Sequence, residues 1–278
     1  MRKLLVSFSG GRTSAYMAHR LMNEFAGELR FVFANTGCED ERTLIFVDRC
    51  AKEWGIEIVW IEALVHHGER VSCTHRIVDF ATASRHGEPF EQMILKYGIP
   101  NKNFPHCTRE LKQRPIQSYM RAIGWDEEFT AIGIRSDEPG RINPKREELR
   151  LVYPLAHWFP TNKRSINEWW DDQPFKLGLM EHEGNCVWCW KKSLTKLIRI
   201  AGEAPERFSF PLRMEADHGI DRFGKPLTFF RENRSAKDII SIAALVEPQR
   251  HMFRDDPDED AGCSESCEVF GDLIGVES

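Results

Sequence analysis

The hydrophobic pattern changes period repeatedly along the first half of the chain. Short β-rich runs at 3–8, 30–34, 57–62 and 129–134 are separated by stretches of helical spacing near 12–26, 41–54 and 110–123. This alternation predicts an α/β, Rossmann-like fold with a parallel sheet and helices on both faces. Because ligands bind beyond the carboxyl ends of parallel strands, we expect one pocket to collect the loops 9–14, 35–37 and 133–137.

The pattern also suggests how the chain is divided. Residues 1–155 form the predicted nucleotide-binding unit, in which 66–106 show little periodicity and are expected to form an insertion or lid. The chain becomes helical and rich in tryptophan after Pro154, so residues 156–253 are predicted to be a smaller helical subdomain. Residues 254–278 begin with an acidic, cysteine-containing stretch that we expect to be a flexible tail.

Composition narrows the class of protein. The chain has 278 residues, 41% of them hydrophobic, which is enough to bury a substantial core. No apolar run approaches the ~20 residues that span a bilayer, and the N-terminus lacks the features of a signal peptide. We therefore expect a cytoplasmic protein with no membrane contact. A net charge of −5 argues against general nucleic-acid affinity, and the eight cysteines favour free thiols, metal ligands or redox chemistry.

The loop that follows the first strand has the composition of a phosphate-binding turn. Gly10 and Gly11 allow backbone N–H groups to converge on an anion, and Ser9, Thr13 and Ser14 add hydroxyl donors at the start of a helix. An ordinary strand-to-helix connection is the alternative interpretation of the same residues.

Beyond this loop, the sequence resembles the phosphoadenosine-phosphosulfate (PAPS) reductase family of the adenine-nucleotide α-hydrolases. The loop Ser9-Gly-Gly-Arg-Thr-Ser14 resembles the pyrophosphate loop of that superfamily. Further blocks follow in family order: Asn35-Thr36-Gly37 with Glu41 and Thr43, Cys107-Thr-Arg-Glu-Leu-Lys112 with Pro115, Gly133-Ile-Arg-Ser-Asp-Glu138 with Arg141, Pro154-Leu155 before Trp158, and Cys186-Val-Trp-Cys189. The resemblance covers about two thirds of the chain. The whole series of blocks is far more specific to the family than any single block.

The resemblance implies an adenine nucleotide, either ATP or a sulfonucleotide such as PAPS or its counterpart without the 3′-phosphate (APS). Guanidinium groups bind phosphate in bidentate fashion, which makes Arg12, Arg135 and Arg141 candidate clamps. Asp137 and Glu138 are candidates for binding magnesium or for pairing with Arg141. The predicted nucleotide-binding residues are Ser7, Ser9, Gly10, Gly11, Arg12, Thr13, Ser14, Asn35, Thr36, Gly37, Gly133, Arg135 and Arg141, and the predicted catalytic residues are Arg135, Asp137 and Cys267.

The cysteine spacing is similar to that of the iron–sulfur branch of the family, which has a tandem cysteine pair upstream of a C-x₂-C pair. Cys107 matches one tandem position, whereas Thr108 occupies the other, so three thiolates match. A [4Fe–4S] cluster prefers four. The fourth iron is expected to be bound by Cys263 or Cys267, to be bound by His106, or to lack a protein ligand. The alternatives are zinc on the same ligands, or Cys186 and Cys189 as core residues.

Departures from the family pattern bear on the reaction. Position 13 is threonine where many pyrophosphate loops carry aspartate, and position 12 is arginine rather than lysine. The reductases end in a Glu-Cys-Gly-Leu-His-like tail with a catalytic cysteine, whereas this chain has Cys263-Ser-Glu-Ser-Cys267. We therefore favour ATP-dependent adenylation and sulfur transfer to a nucleic-acid or small-molecule acceptor. Sulfonucleotide reduction, with a thiol or electron-donor protein as partner, is the alternative.

A third hypothesis is a catalytically weak nucleotide- or nucleic-acid-binding module. Basic residues cluster at 145–150 and 191–199, and Trp188 and Trp190 adjoin the second cluster. Cations interleaved with aromatic rings bind nucleic-acid backbones and stack on bases. A tryptophan core beside a solvated lysine face is the competing interpretation. The sequence gives no prediction of oligomeric state.

Overall fold

A computed structural model describes residues 2–184, 186–221 and 223–246. Its six strands are β1 (Lys3–Ser7), β2 (Glu28–Asn35), β3 (Ile58–Leu64), β4 (Thr74–Val78), β5 (Phe129–Ala131) and β6 (Leu151–Val152). Its helices are α1 (Arg12–Glu24), α2 (Glu41–Trp54), α3 (Glu88–Tyr97), α4 (His106–Thr108), α5 (Arg114–Ala122), α6 (Pro154–His157), α7 (Lys163–Asp171), α8 (Leu194–Glu203), α9 (Ser209–His218) and α10 (Ala236–Val246).

The strands form one sheet in the order β4-β3-β2-β1-β5-β6. Every neighbouring pair is parallel except β3 with β4, which is antiparallel. The predicted α/β fold class is confirmed, with a sheet that is mostly parallel. Within the stretch 66–106, predicted as an insertion or lid, the chain forms the edge strand β4 and the helix α3.

Alternate residues of the central strands pack on opposite faces of the sheet, as the period-2 geometry of a strand requires. In β1, Leu4 and Val6 join the hydrophobic layer of α1 and α2, whereas Leu5 joins the layer that contains Ile116 and Tyr119 of α5. Both faces are therefore covered by helices, which explains the continuous apolar composition of these strands.

The chain after Pro154 contributes to two different cores. Trp170 of α7 is buried in the layer of α1 and α2, and its ring contacts Phe46 with a centroid separation of 5.2 Å. Trp188 and Phe210 lie in a second core with α3, α8 and α10. The predicted boundary near residue 155 stays a prediction, and the proposed tail 254–278 lies outside the described residues. No helix in the described part of the chain has the length and apolarity needed to cross a bilayer.

A π-helical segment, Arg109–Gln113, joins α4 to α5 without a break. Pro115 follows the segment, and its lack of an N–H group removes the α-helical bond that the carbonyl of Leu111 would otherwise accept. Wider turns of this kind often occur at functional sites. Here the segment buries two charged side chains, Glu110 and Lys112.

Candidate functional site: a loop crevice and a thiol cavity

The strand order places a topological switch point at β1. From β1 the chain proceeds through α1 to β2 on one side, and it later enters β5 on the other side of β1. In open α/β sheets, ligands bind in the crevice that opens at the carboxyl ends of such strands. The loops at this point are 8–11, after β1, and 132–138, after β5. We call the space between them the loop crevice.

Ser14 holds the first loop closed. Its hydroxyl accepts a hydrogen bond from the Ser9 N–H at 3.1 Å, lies 2.9 Å from the Ser9 hydroxyl, and donates to the Gly11 carbonyl at 3.0 Å. The N-cap residue of α1, Gly11, has no side chain to cap the first turn, and that turn holds no acidic residue. The backbone N–H groups of a helix start carry partial positive charge, so this end of α1 is suited to an anion.

Gly10 is required by packing beneath the loop. Its φ is +80°, a conformation that side chains rarely adopt, and a Cβ atom there would approach Thr43 Cγ2 of α2 to 2.5 Å. The glycine therefore fixes the loop directly against α2. The sequence explained this glycine by the close approach of a ligand to the backbone. Packing against α2 is a second reason for glycine at this position.

Arg135 connects the two loops of the crevice. The side chain is buried, with 7% exposure, and Nη1 lies 3.5 Å from the hydroxyl of Thr13. Asp137 accepts from Arg135 Nε at 2.9 Å. Glu138 accepts from the Arg135 N–H at 3.3 Å and from Arg141 Nη1 at 2.5 Å. Two arginines predicted to clamp phosphate are thus held beside the loop by two carboxylates.

Arg12 has a different orientation. Its guanidinium donates to the carbonyl of Leu177 at 3.2 Å and to Asn167 Oδ1 at 3.5 Å, and its own carbonyl accepts from Trp170 Nε1 at 3.0 Å. These bonds join α1 to the chain after Pro154. A phosphate contact by Arg12 stays a prediction, and it would require the side chain to leave these partners.

Asn35 and Gly37 organise the end of β2. Asn35 is fully buried and donates to Glu62 at 2.7 Å and to the carbonyl of Ser84 at 2.9 Å. Gly37 has φ of +79°, and a Cβ there would meet the backbone of Gly87 at 3.2 Å. In this structure both residues hold the chain at 84–87 against the sheet edge. Their predicted contact with a nucleotide is not tested by these contacts.

Thr36, which follows β2, contacts a second site. Its hydroxyl donates to Glu39 at 2.9 Å and lies 3.5 Å from the sulfur of Cys186. The chain around Cys186 pairs with the segment after β2, because the Val187 N–H donates to the Cys38 carbonyl at 3.2 Å. The C-x₂-C turn is therefore anchored at the carboxyl end of β2, next to β1.

Three cysteines predicted as metal ligands line one buried cavity at this position. We call it the thiol cavity. It is lined by Cys107, Cys186, Cys189, Thr36, Thr108, Lys112, Lys191, Phe90, Leu111, Trp188 and Trp190. The structure thus brings together residues from four separate segments of the chain. The volume of the cavity is about 20 Å³.

Burial keeps the Cys186 sulfur protonated. It raises the pKa of this thiol well above its usual value, and the charge of Glu39 raises it further, whereas Lys112 acts in the opposite direction. Burial and the neighbouring Cys186 likewise raise the pKa of Cys38. Without a bound cation, Cys186 is therefore a weak nucleophile, because the thiolate is the reactive form.

The residues present do not form a ready cluster site. A cavity of about 20 Å³ holds little more than one water, whereas a [4Fe–4S] core has eight atoms. Within the described ranges, no three His, Cys, Asp or Glu side chains come together as a metal-binding group. The cluster and its zinc alternative stay predictions. Cys263 and Cys267, predicted as ligands and the latter as nucleophile, lie outside the described residues.

Two lysines next to the C-x₂-C turn are buried, although the sequence analysis places them in a basic cluster. Lys191, Lys192 and the neighbouring Trp188 and Trp190 are all less than 9% exposed. Lys192 donates to the carbonyls of Gly184, Cys186 and Val187 and so holds the C-x₂-C turn. The buried tryptophans are not available as a stacking surface for bases.

Comparison with known proteins gives one extensive sequence match. No protein-family model matches the chain. The uncharacterized nin region protein ORF290 of Escherichia phage lambda is 33% identical over 285 residues, which cover 98% of this chain and 97% of the phage protein. An uncharacterized protein of Methanocaldococcus jannaschii, MJ0066, is 24% identical over 165 residues, covering 56% of this chain and 29% of that protein.

Among solved structures, the chain is similar to a PAPS reductase from Candida auris, with a TM-score of 0.40 and 13% identity. The match covers 64% of this chain and 75% of the reductase. The match to the phage protein spans nearly the whole length of both proteins, and a third of the aligned positions are identical. The chain therefore belongs to the same family as the nin region protein ORF290 of phage lambda.

Proposed function

We propose that this protein binds an adenine nucleotide in the loop crevice and uses it for sulfur chemistry. The favoured reaction is ATP-dependent adenylation of an acceptor followed by sulfur transfer. The observation that carries the proposal is the juxtaposition of Arg135 and Thr13, 3.5 Å apart, at the switch point of the sheet. A cavity lined by three thiols at the end of the neighbouring strand supports sulfur as the transferred element.

The crevice has the donors that a polyphosphate needs. The uncapped start of α1 offers backbone N–H groups, and Arg135 and Arg141 offer guanidinium groups. In this structure Asp137 and Glu138 balance the two arginine charges. Polyphosphate binding would displace these two carboxylates from the arginines. A magnesium ion bound to the phosphates would then be a new partner for one of the carboxylates. We therefore expect magnesium-dependent nucleotide affinity.

In the proposed reaction, an acceptor oxygen attacks the α-phosphorus of ATP and pyrophosphate leaves. Sulfur then attacks the adenylated carbon, and AMP leaves. Arg135 and the helix start would neutralise charge that develops on the phosphates, and the two loops would fix the ATP for in-line attack. The acceptor is a nucleic acid or a small molecule, and the expected protein partner is a thiol or electron donor.

Sulfonucleotide reduction is the second candidate, favoured by the position of the thiols at the same sheet edge. A thiolate would attack the sulfur of a bound sulfate ester, and the nucleotide would leave with the ester oxygen. A second thiol, from the donor protein, would then attack the S-sulfonated thiol, releasing sulfite and forming a disulfide. The raised pKa of Cys186 argues against that thiol as the nucleophile.

Parallel incubations with ATP and with PAPS, each with magnesium and a thiol reductant, test the proposal. AMP and pyrophosphate would support activation, sulfite would support reduction, and binding without turnover would support the weak module. Equilibrium binding supplies the site test. Arg135→Met should weaken binding of either nucleotide, whereas Arg121→Met, on the exposed face of α5, is the matched control. Unchanged affinity in Arg135→Met would place the nucleotide elsewhere.

A further inference from the structure

Two phenylalanine side chains lie open to solvent on the surface near the thiol cavity. Phe104 is 61% exposed and Phe223 is 71% exposed, which makes them the two most exposed aromatic rings in the described part of the chain. Phe223 lies at the turn of a short hairpin in which Ile220 pairs with Pro226. Isolated apolar side chains are normal on a protein surface, so the two rings matter only if they belong to one surface.

Hydrogen bonds join the two segments that carry these rings. Phe104 closes a turn with Asn101, because the backbone N–H of each residue donates to the carbonyl of the other, at 3.1 and 3.2 Å. The side-chain amide of Asn101 then donates to the carbonyl of Thr228 at 3.3 Å. The five residues from Phe223 to Thr228 span at most about 17 Å of chain. The two rings therefore belong to one continuous surface.

Basic side chains accompany the rings. The segments 101–104 and 223–231 carry Lys102, Lys225 and Arg231, all of them exposed, and neither segment contains an acidic residue. The whole chain has a net charge of −5, so the positive charge here is a local excess. We call the three cations and the two phenylalanines the ring–cation surface.

The ring–cation surface adjoins the thiol cavity at two points. Phe104 lies two residues before α4, which supplies Cys107 to the cavity. Arg231 Nη2 donates to the carbonyl of Lys191 at 3.1 Å, and Lys191 is a lining residue of the same cavity. A molecule bound to this surface therefore lies beside the thiols.

Exposed cations next to exposed rings suit a polyanion that also carries flat, stackable groups. Single-stranded nucleic acid has both, because its phosphates pair with lysine and arginine and its unpaired bases stack on aromatic side chains. Single-stranded sites cover about 4–16 nucleotides, which is long enough to contact both rings. A protein partner fits less well, since lysine is depleted at the cores of protein interfaces.

We propose that the ring–cation surface binds single-stranded nucleic acid. The role of that strand rests on the proposed function and deepens it, because the acceptor is then a nucleic acid rather than a small molecule. The rings that stack on bases are Phe104 and Phe223, and not Trp188 and Trp190, which are buried.

Fluorescence anisotropy of the full chain tests the surface, with labelled DNA and RNA strands of about 15 nucleotides and the matching DNA duplex as probes. We expect a single strand to bind at least about tenfold more tightly than the duplex, because base pairing hides the faces of the bases. Phe104→Ala and Phe223→Ala should each weaken strand binding about tenfold, since each removes a stacking ring. Ile220→Ala is the matched control, because Ile220 is 72% exposed on the same hairpin but has no ring.

Salt dependence measures the contribution of the cations. Lys102→Gln and Lys225→Gln should each reduce the slope of log Kd against log salt concentration by about 0.7, the value expected for one phosphate contact on a single strand. Lys237→Gln, exposed on α10, should leave the slope unchanged.

The proposal is overturned if wild-type protein binds a single strand no more tightly than the duplex, or if both phenylalanine variants bind as wild type does. A dimer that both variants dissociate in sedimentation, without any strand binding, would assign the surface to a second copy of the chain and would also overturn it. Strand binding without ATP binding would reject the proposed function alone. AMP formation with a small-molecule acceptor and no strand binding would reject this surface alone.

Discussion

The loop crevice and the thiol cavity lie at the same edge of one sheet but are built in different ways. The crevice takes most of its donors from two short segments, each directly after a strand. The cavity takes its lining from four segments between residues 36 and 191. Local sequence was therefore sufficient to predict that the loops after β1 and β5 lie together, whereas the environment of the thiols depends on tertiary packing. Four predictions test this contrast, beginning with the largest expected effect.

Gly10→Val should destabilise the whole protein. The substitution forces a β-branched residue into φ of +80° and drives its Cβ against Thr43. Overpacking and left-handed strain together predict a loss of about 3 kcal/mol or more in the free energy of unfolding. Urea denaturation measures this loss. Thr43→Ser removes the clashing methyl group, and the double variant should recover part of the stability.

A stable Gly10→Val protein that had lost only its nucleotide affinity would contradict this packing argument. It would show that the glycine serves ligand approach alone.

Arg135→Met should leave the cavity unchanged and impair the crevice. Loss of a buried guanidinium that faces phosphate predicts about 10²-fold weaker ATP binding. The substitution leaves the residues that line the thiol cavity untouched. Calorimetry with ATP measures the loss, and Arg121→Met, on the exposed face of α5, is the control. Unchanged ATP affinity in Arg135→Met would contradict the crevice as the nucleotide site.

The two regions also differ in what could be predicted from sequence. Strands β1, β2, β3 and β5 were recognisable from their apolar runs and β-rich composition. The two-residue β6 is too short to show a pattern, and the intermediate and exposed residues of the edge strand β4 do not alternate. The contact of Thr13 with Arg135 followed from strand order, which the general rule for parallel sheets anticipates.

Burial of Lys112, Lys191 and Lys192 could not be predicted in the same way. Lysine is normally a surface residue, and nothing local distinguishes one that folding encloses. Whether the three thiols lie close enough together to bind one metal ion likewise depends on side-chain positions in space. Spacing along the chain brought Cys107, Cys186 and Cys189 to one cavity, but it did not specify the distances between them.

An ion-pair network next to the C-x₂-C turn gives a pH prediction. Glu183, just before the C-x₂-C turn, accepts from Arg42 of α2 at 2.7 Å and from Arg207 at 3.0 Å. Burial alone would raise the pKa of Glu183, but hydrogen bonds from Arg42, the Met180 N–H and Arg207 lower it to about 2.

Because the folded-state pKa lies below that of the unfolded chain, the carboxylate stabilises the protein above pH ~4.3 and loses this effect as the pH falls toward about 2. Glu183→Gln should therefore be less stable at pH 7 and should show a shallower loss of stability over that window. Thermal unfolding at several pH values measures the slope. Glu168→Gln, in an exposed pair with Arg164, is the matched control. Parallel curves for wild type and Glu183→Gln would show that these ion pairs do not stabilise the folded protein.

The smallest expected effect belongs to Thr36, whose hydroxyl lies between Glu39 and the sulfur of Cys186. Thr36→Val keeps the shape of the side chain but removes the hydrogen bond to Glu39 and the contact with the Cys186 sulfur. A buried hydrogen bond of this kind contributes about 1 kcal/mol, and the acceptor left behind adds to the cost. Nucleotide affinity should fall by no more than a few fold, because the phosphate donors belong to β1 and β5. Urea denaturation measures the loss of stability, and calorimetry with ATP measures the affinity. A loss of ATP affinity larger than a few fold would assign the end of β2 to the nucleotide.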